Sequence, residues 1–144
     1  HLFMTNEDIL QKLNSMSANT LMETLRIEYI ELGEGYLVAK MPVDSRVHQP
    51  MGILHGGATV ALAESVASAA AYALFAGSGR EVRGLEITAN HLKSKSDGVV
   101  TGRATIIHDG RTTQLWEIRV EDEAGQLISL CKMTALVFDK QEKG

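Results

Sequence analysis

The chain has 144 residues, of which 44% are hydrophobic and 22% charged, and a formal net charge of −4. That length holds one domain with a real core, and so weak a negative charge offers no field for nucleic acid. The single cysteine, Cys131, excludes an internal disulfide and suits a reducing cytoplasm. No basic region followed by an apolar run opens the sequence, so no secretory signal is read. Residues 1–144 are expected to form one domain, with His1, Leu2 and Phe3, ahead of Met4, extraneous to it. In "TNEDILQKLNSM", Thr5 precedes Asp8 by three residues, a variant of the capping box. Ile9, Leu10, Leu13 and Met16 then share one helical face, which predicts a short amphipathic helix.

"TLRIEYIELGEGYLVAKMPVD" reads as a hairpin. Leu25, Ile27 and Tyr29 alternate with Arg26 and Glu28, residues 33–35 supply the turn, and Tyr36 to Val43 returns. "SRVHQPMGIL" is irregular, broken by Pro50 and Gly52. From Gly56 to Gly79 only Glu64 is charged. The stretch is long enough to span a bilayer. Its Ala, Gly and Ser content and its central carboxylate speak against a span, and alanines on every side predict a helix buried nearly all round under a closely wrapped sheet. Four strand-like runs follow: "VRGLEITANHLKS", "GVVTGRATIIHDG", "TTQLWEIRVEDEAG", in which Trp116, Ile118 and Val120 alternate with Glu117, Arg119 and Glu121, and "LISLCKMTALVFD", apolar on both faces. The turns "SDG", "HDGR" and "EAGQ" between them favour antiparallel neighbours. One long helix beside some six strands predicts an α+β fold with the sheet laid on that helix.

An ionised carboxylate without partners is expensive to bury. Glu64 is therefore either a surface residue, a member of an ion pair, or a functional group. At ~100° per residue, Ser68 and Gly57 project to the same helical face as Glu64. The helix start offers free N–H groups and the positive end of the helix dipole, and two glycines let another molecule approach it. Backbone donors plus a carboxylate are the toolkit of acyl transfer. Plainer readings stand beside this one. His55 serves equally as a helix cap, Gln49 as a partner of the loop around Pro50, and Ser68 as a donor to its own helix. Cys131 shares a strand face with Met133, Ala135 and Val137 and reads as a core thiol, and Trp116 reads as core or interface. The five histidines show no metal-ligand spacing.

"HQPMGILHGGATVALAES" resembles the hotdog-fold acyl-CoA thioesterases that carry HGG at the helix start and Glu within the helix. These include the Arthrobacter-type 4-hydroxybenzoyl-CoA thioesterases and the 1,4-dihydroxy-2-naphthoyl-CoA thioesterases of menaquinone synthesis. The likeness runs from about Leu25 to Phe138, and "MPVDSR", "LAES" and "GLEITANH" are similar to the naphthoyl-CoA enzymes. The resemblance implies a hotdog fold, an antiparallel sheet curled around one long helix. It also implies homodimers, or dimers of dimers, with active sites shared between subunits. By resemblance Glu64 is the catalytic base or nucleophile, and the Gly56 N–H is the oxyanion donor. Gln49 and His55 orient the thioester, and Ser68 places the hydrolytic water. Gly84, His91, Lys93, Ser94, His108, Gly110, Arg111 and Thr112 are implied to line the path of coenzyme A, which is part of the substrate. No cofactor, metal, nucleic acid or membrane is implied. The resemblance leaves room for an acyl-carrier-protein thioesterase or for a non-catalytic acyl-CoA sensor. The hotdog dehydratases arrange His and Asp or Glu differently. A sensor's DNA-binding segment would need length and a basic helix that this sequence does not offer.

Overall fold

The computed structural model describes residues 4–140, so the reading of residues 1–3 lies outside the described residues. Helix α1 (Asn6–Ser15) starts where Thr5 and Asp8 close the expected capping box: each residue's N–H donates to the other's side chain, at 3.1 and 3.0 Å. Leu13 is buried, Ile9 and Leu10 are half-buried, and Met16 ends the helix exposed. Asn14 docks α1 on the sheet by pairing with both backbone groups of Tyr29, accepting from its N–H at 2.8 Å and donating to its carbonyl at 2.9 Å.

The strand expected from Leu25 begins later. Leu21–Leu25 forms a short helix, α2, and Arg26 closes it in the left-handed conformation (φ 58°). Alternation over Leu25, Ile27 and Tyr29 is too short a pattern to separate a strand from a helical turn. Strands β1 (Glu28–Gly33) and β2 (Tyr36–Pro42) then pair as predicted. Gly35, at φ 77°, makes the turn that a side chain would strain.

A single 3-10 turn (Ser45–Val47) leads towards the long helix α3 (Gly56–Phe75). Strands β3 (Arg80–His91), β4 (Val99–Asp109), β5 (Thr113–Glu121) and β6 (Leu127–Asp139) complete one antiparallel six-stranded sheet, ordered β1-β2-β4-β5-β6-β3. The short turns give β4-β5 and β5-β6 neighbours as expected. The "SDG" connection does not: β3 and β4 are separated by β5 and β6. Residues 92–98 instead cross the end of the sheet, and their backbone is satisfied on the way. Leu92 N–H donates to the Ile128 carbonyl, the Lys95 carbonyl accepts from Leu54 N–H, and the Gly98 carbonyl accepts from Val43 N–H.

Helix α3 touches β2 through β6, strands at nearly opposite edges of the sheet, so the sheet curls round it. The register supplies rows of inward side chains, such as Leu37–Ala104–Ile118–Cys131–Ala89 and Ala39–Gly102–Val120–Ser129–His91. Gly102 permits the closest approach: a Cβ there would lie 3.3 Å from Leu62 Cγ. A bulge at Leu85 restores the inward phase of β3, so that Val82 and Gly84 before it and Ile87, Ala89 and His91 after it face the helix. Trp116, Ile118, Val120, Cys131 and Met133 are buried as predicted, and burial pushes the Cys131 thiol up to about 11.

Helix α3 has the length and mean hydropathy (1.5) of a membrane span, but Leu62, Ala63, Val66, Ala67, Ala70 and Ala71 are buried against the sheet. The expectation that it would be buried all round needs correcting. The sheet covers one side, and Glu64, Ser68 and Tyr72 lie exposed on the other. Small residues favour close contact with the sheet without forcing cover on the remaining stripe.

Asn14→Ala leaves both Tyr29 backbone groups without their side-chain partner, and urea unfolding should show a loss of about 1–3 kcal/mol. Full stability would mean that water replaces the amide without loss. Glu123, held by the Lys95 ammonium and by Val99 N–H, has its carboxyl lowered from 4.5 to about 2. Its contribution is therefore complete above about pH 4.5 and fades as pH falls towards 2. The stability gap between the wild type and Glu123→Gln should accordingly be wider at pH 7 than at pH 3; a gap that widens in acid would contradict this assignment.

Candidate active site

The start of α3 is built by His55. Its carbonyl accepts from Ala58 and Thr59 N–H at 3.0 and 3.1 Å, and its Nδ1 accepts from Gly57 N–H at 2.7 Å. The plain reading of His55 as a cap is therefore what the structure shows, and its ring carries its proton on Nε2. Gly56 N–H is left without an acceptor among the described residues. Two imidazoles explain the paired glycines. A Cβ on Gly56 would lie 2.8 Å from His91 Nε2, and one on Gly57 would lie 2.8 Å from His55 Cε1. A side chain at either position would have to displace the facing imidazole.

Gly56 opens into a cavity of about 330 Å3 lined by Gln49, Thr59, His91, Lys93, Ser94 and Ser129, among others. Gln49 is held by its loop, with Oε1 accepting from Met51 N–H, as its plain reading anticipated. Ser129 went unnoticed in the sequence because it sits in the apolar run of β6. It is 1% exposed, and its Oγ lies 2.7 Å from His91 Nδ1. A hydroxyl in the middle of an otherwise apolar inward row was the available signal.

Glu64 lies elsewhere. It occupies the floor of an open groove of about 510 Å3 between α1, α2 and α3, together with Ser68. Leu13, Met16, Leu21, Met22, Tyr29 and Tyr72 form much of the wall. The Tyr29 hydroxyl donates to the Ser65 carbonyl at 3.4 Å, and burial raises the pKa of this phenol. The sequence pattern does not mark this wall: Leu21 and Met22 precede the stretch that reads as a hairpin, and Tyr72 lies in a helix expected to be buried nearly all round. At 1.5 Å rise per residue, Glu64 stands roughly 12 Å along the axis from Gly56. Glu64 and the free Gly56 N–H thus face different cavities of one chain.

The expected coenzyme A residues also divide. His91, Lys93 and Ser94 join the Gly56 cavity. His108, Gly110, Arg111 and Thr112 form the β4–β5 turn at the opposite end of the sheet. There the Arg80 guanidinium donates to the Gly110 carbonyl at 3.4 Å, and the Thr112 carbonyl accepts from Val137 N–H at 2.8 Å. Gly84 lies between, packed on Met133 at the β3 bulge. His91 opposes Ser129 on β6, and Thr113 opposes Leu136, so at about 3.3 Å per residue the two clusters are roughly 23 Å apart.

Three comparisons bear on this arrangement. Residues 51–129, from the loop before α3 into β6, match the family described as the thioesterase superfamily. The proofreading thioesterase EntH of Cronobacter turicensis is 46% identical over 129 residues, which are 90% of this chain and 93% of that protein. A crystallised variant of thioesterase PA1618 from Pseudomonas aeruginosa superposes with a TM-score of 0.86 at 42% identity, over 90% of this chain and 94% of that one. Thioesterase HI1161 from Haemophilus influenzae also gives 0.86, at 40% identity, over 98% of this chain and 95% of that one. The sheet curled on α3, the HGG start of that helix and these likenesses agree: the chain belongs to the thioesterase superfamily and has its hotdog fold.

Proposed function

We propose that this thioesterase hydrolyses acyl-CoA esters with an aromatic acyl group, at a site completed by two copies of the chain. The observation that carries the reading is the division of the chemistry. A free helix N-terminus with polar lining occupies one cavity, and a carboxylate in an apolar, tyrosine-walled groove occupies the other. Neither is sufficient alone. A thioester carbonyl needs a donor at its oxygen and a base or nucleophile at its carbon within about 3 Å.

Pairing two copies antiparallel along the β3 edge would unite these parts. That strand is hydrogen-bonded on one side only, to β6, and exposes Leu85, Glu86 and Thr88. An unpaired edge of twelve residues is a natural site for a second strand. Antiparallel pairing sets the His91 end of one β3 beside the Arg80 end of the other. The Lys93 and Ser94 cluster then approaches the turn bearing His108, Gly110, Arg111 and Thr112 of the partner subunit. Both clusters supply turn N–H groups and cations suited to the phosphates of a nucleotide. Two such dimers packed together would form the expected dimer of dimers.

In this site the Gly56 N–H of one protomer receives the thioester oxygen, with His55 and Gln49 beside it. Glu64 of the other protomer acts on the carbonyl carbon, and Ser68, one turn along, orients water. Glu64 either takes the proton of the attacking water or attacks first and is freed by water. In both cases the C–S bond breaks, the acid gains one water oxygen, and the proton reaches the departing thiolate of coenzyme A. The partner's cover would strip water from Glu64, which favours its proton-accepting role. No metal or cofactor enters this scheme. Tyr29 and Tyr72 favour a flat acyl group. Hydroxybenzoyl-CoA and the 1,4-dihydroxy-2-naphthoyl-CoA of menaquinone synthesis are therefore the first esters to assay, beside a carrier-protein thioester. The buried free thiol of Cys131 is consistent with work in a reducing cytoplasm.

Glu64→Gln should fold and assemble as the wild type does and lose about 100-fold or more in thiol release; full activity in that variant ends the reading. Light scattering on the active wild type should return a mass of at least two chains. An active monomer would show that the division of the site has been misread.

A further inference from the structure

Ser129 and His91 form a directly opposed pair on β6 and β3, and both face the start of α3. The Ser129 hydroxyl is buried, and His91 Nδ1, at 2.7 Å, is its hydrogen-bond partner among the described residues. A buried hydroxyl must place its proton on an acceptor. If Nδ1 were the donor, that proton would find no acceptor among the described residues. The hydroxyl therefore donates to Nδ1, and the neutral ring carries its own hydrogen on Nε2. Nε2 points at Gly56, 2.8 Å from where a Cβ would stand. Only one Cα–Cβ and one N–Cα bond length add to that distance, so Nε2 and the Gly56 nitrogen are at most about 6 Å apart. Two hydrogen bonds of about 2.9 Å to a single oxygen span that gap.

We infer that Ser129 is a positioning residue that fixes His91 as the Nε2–H tautomer, and that this N–H is a second donor to the thioester carbonyl oxygen, beside the Gly56 N–H. The inference rests on the thioesterase site proposed above and deepens it. It moves His91 from the nucleotide path to the reacting end of the substrate. It also gives Gly56 a second reason to lack a side chain: a Cβ would push away the ring whose N–H completes the oxyanion site.

Two measurements test this. Long-range 1H–15N correlation on histidine-labelled wild type should show His91 protonated on Nε2, with that preference weakened in Ser129→Ala; a wild-type ring protonated on Nδ1 overturns the inference. Hydrolysis is then compared on a CoA ester and on the N-acetylcysteamine ester of the same acid, which lacks the nucleotide. Ser129→Ala should lower kcat about 10-fold and His91→Ala about 100-fold, by equal factors on both esters. His91→Gln, which retains an N–H donor, should recover part of the loss. A defect confined to KM for the CoA ester would make His91 a nucleotide contact and overturn the inference. Should the wild type hydrolyse no thioester, the donor role falls with the site itself, while the tautomer measurement still decides what Ser129 does to His91.

Discussion

The close fit of α3 against the sheet governs the rest of the molecule. Alanines at positions 63, 67, 70 and 71 let the sheet come near, and Gly102 removes an inward Cβ that would lie 3.3 Å from Leu62 Cγ. Dispersion and burial act over the whole length of the helix because so many atoms reach contact distance. The helix axis is thereby fixed relative to β6 and β3. So are the place of its N-terminus and the direction in which Glu64 points. A functional geometry defined to fractions of an ångström needs this kind of support, since groups carried on a loosely packed element would wander.

At the end of that helix the polar groups follow from hydrogen-bond accounting. A helix start has four N–H groups without intrahelical partners. Here His55 satisfies two of them, through its ring and its carbonyl, the Val47 carbonyl accepts from the His55 N–H, and the Gly56 N–H is left over. A free, outward N–H at the positive end of a twenty-residue helix is a standing place for a partly negative oxygen. Two further histidine contacts keep the surroundings bare of carbon. The same glycines that looked permissive in the sequence are positions where a side chain would displace rings of the same chain.

The other half of the chemistry is separated from this point by about two turns of helix and a change of face. Within one chain, Glu64 is thereby kept from the positive end of its own helix, which would attract it. Assembly then becomes a condition of activity under the proposed reading. Under the same reading specificity would divide likewise, with α1 and α2 walling the acyl group and the segment after β3 and the β4–β5 turn offering cations to the nucleotide. The hydrogen bonds of Asn14 to the Tyr29 backbone hold that groove wall in position.

Local patterns were enough to declare the capping box at Thr5, the Gly35 turn, the long alanine-rich helix, the apolar β6 and the inward Trp116–Ile118–Val120 alternation. Each depends on neighbours within a few residues, where steric and hydrogen-bond rules act directly. The lone Glu64 and the HGG at the helix start were visible for the same reason, as departures from such a pattern. Three things were not legible: that β3 takes the far edge, beyond β5 and β6, that α2 replaces the first residues of a strand, and that Ser129 meets His91. The first depends on which edge is free once the sheet has curled. The second depends on whether α1 and the hairpin leave room for a turn of helix. The third depends on a register set by a bulge at Leu85. The sequence thus determined the elements and the chemical groups they carry. Only the tertiary structure decided which groups meet, because contacts between distant segments are chosen by packing and register, which no local rule contains.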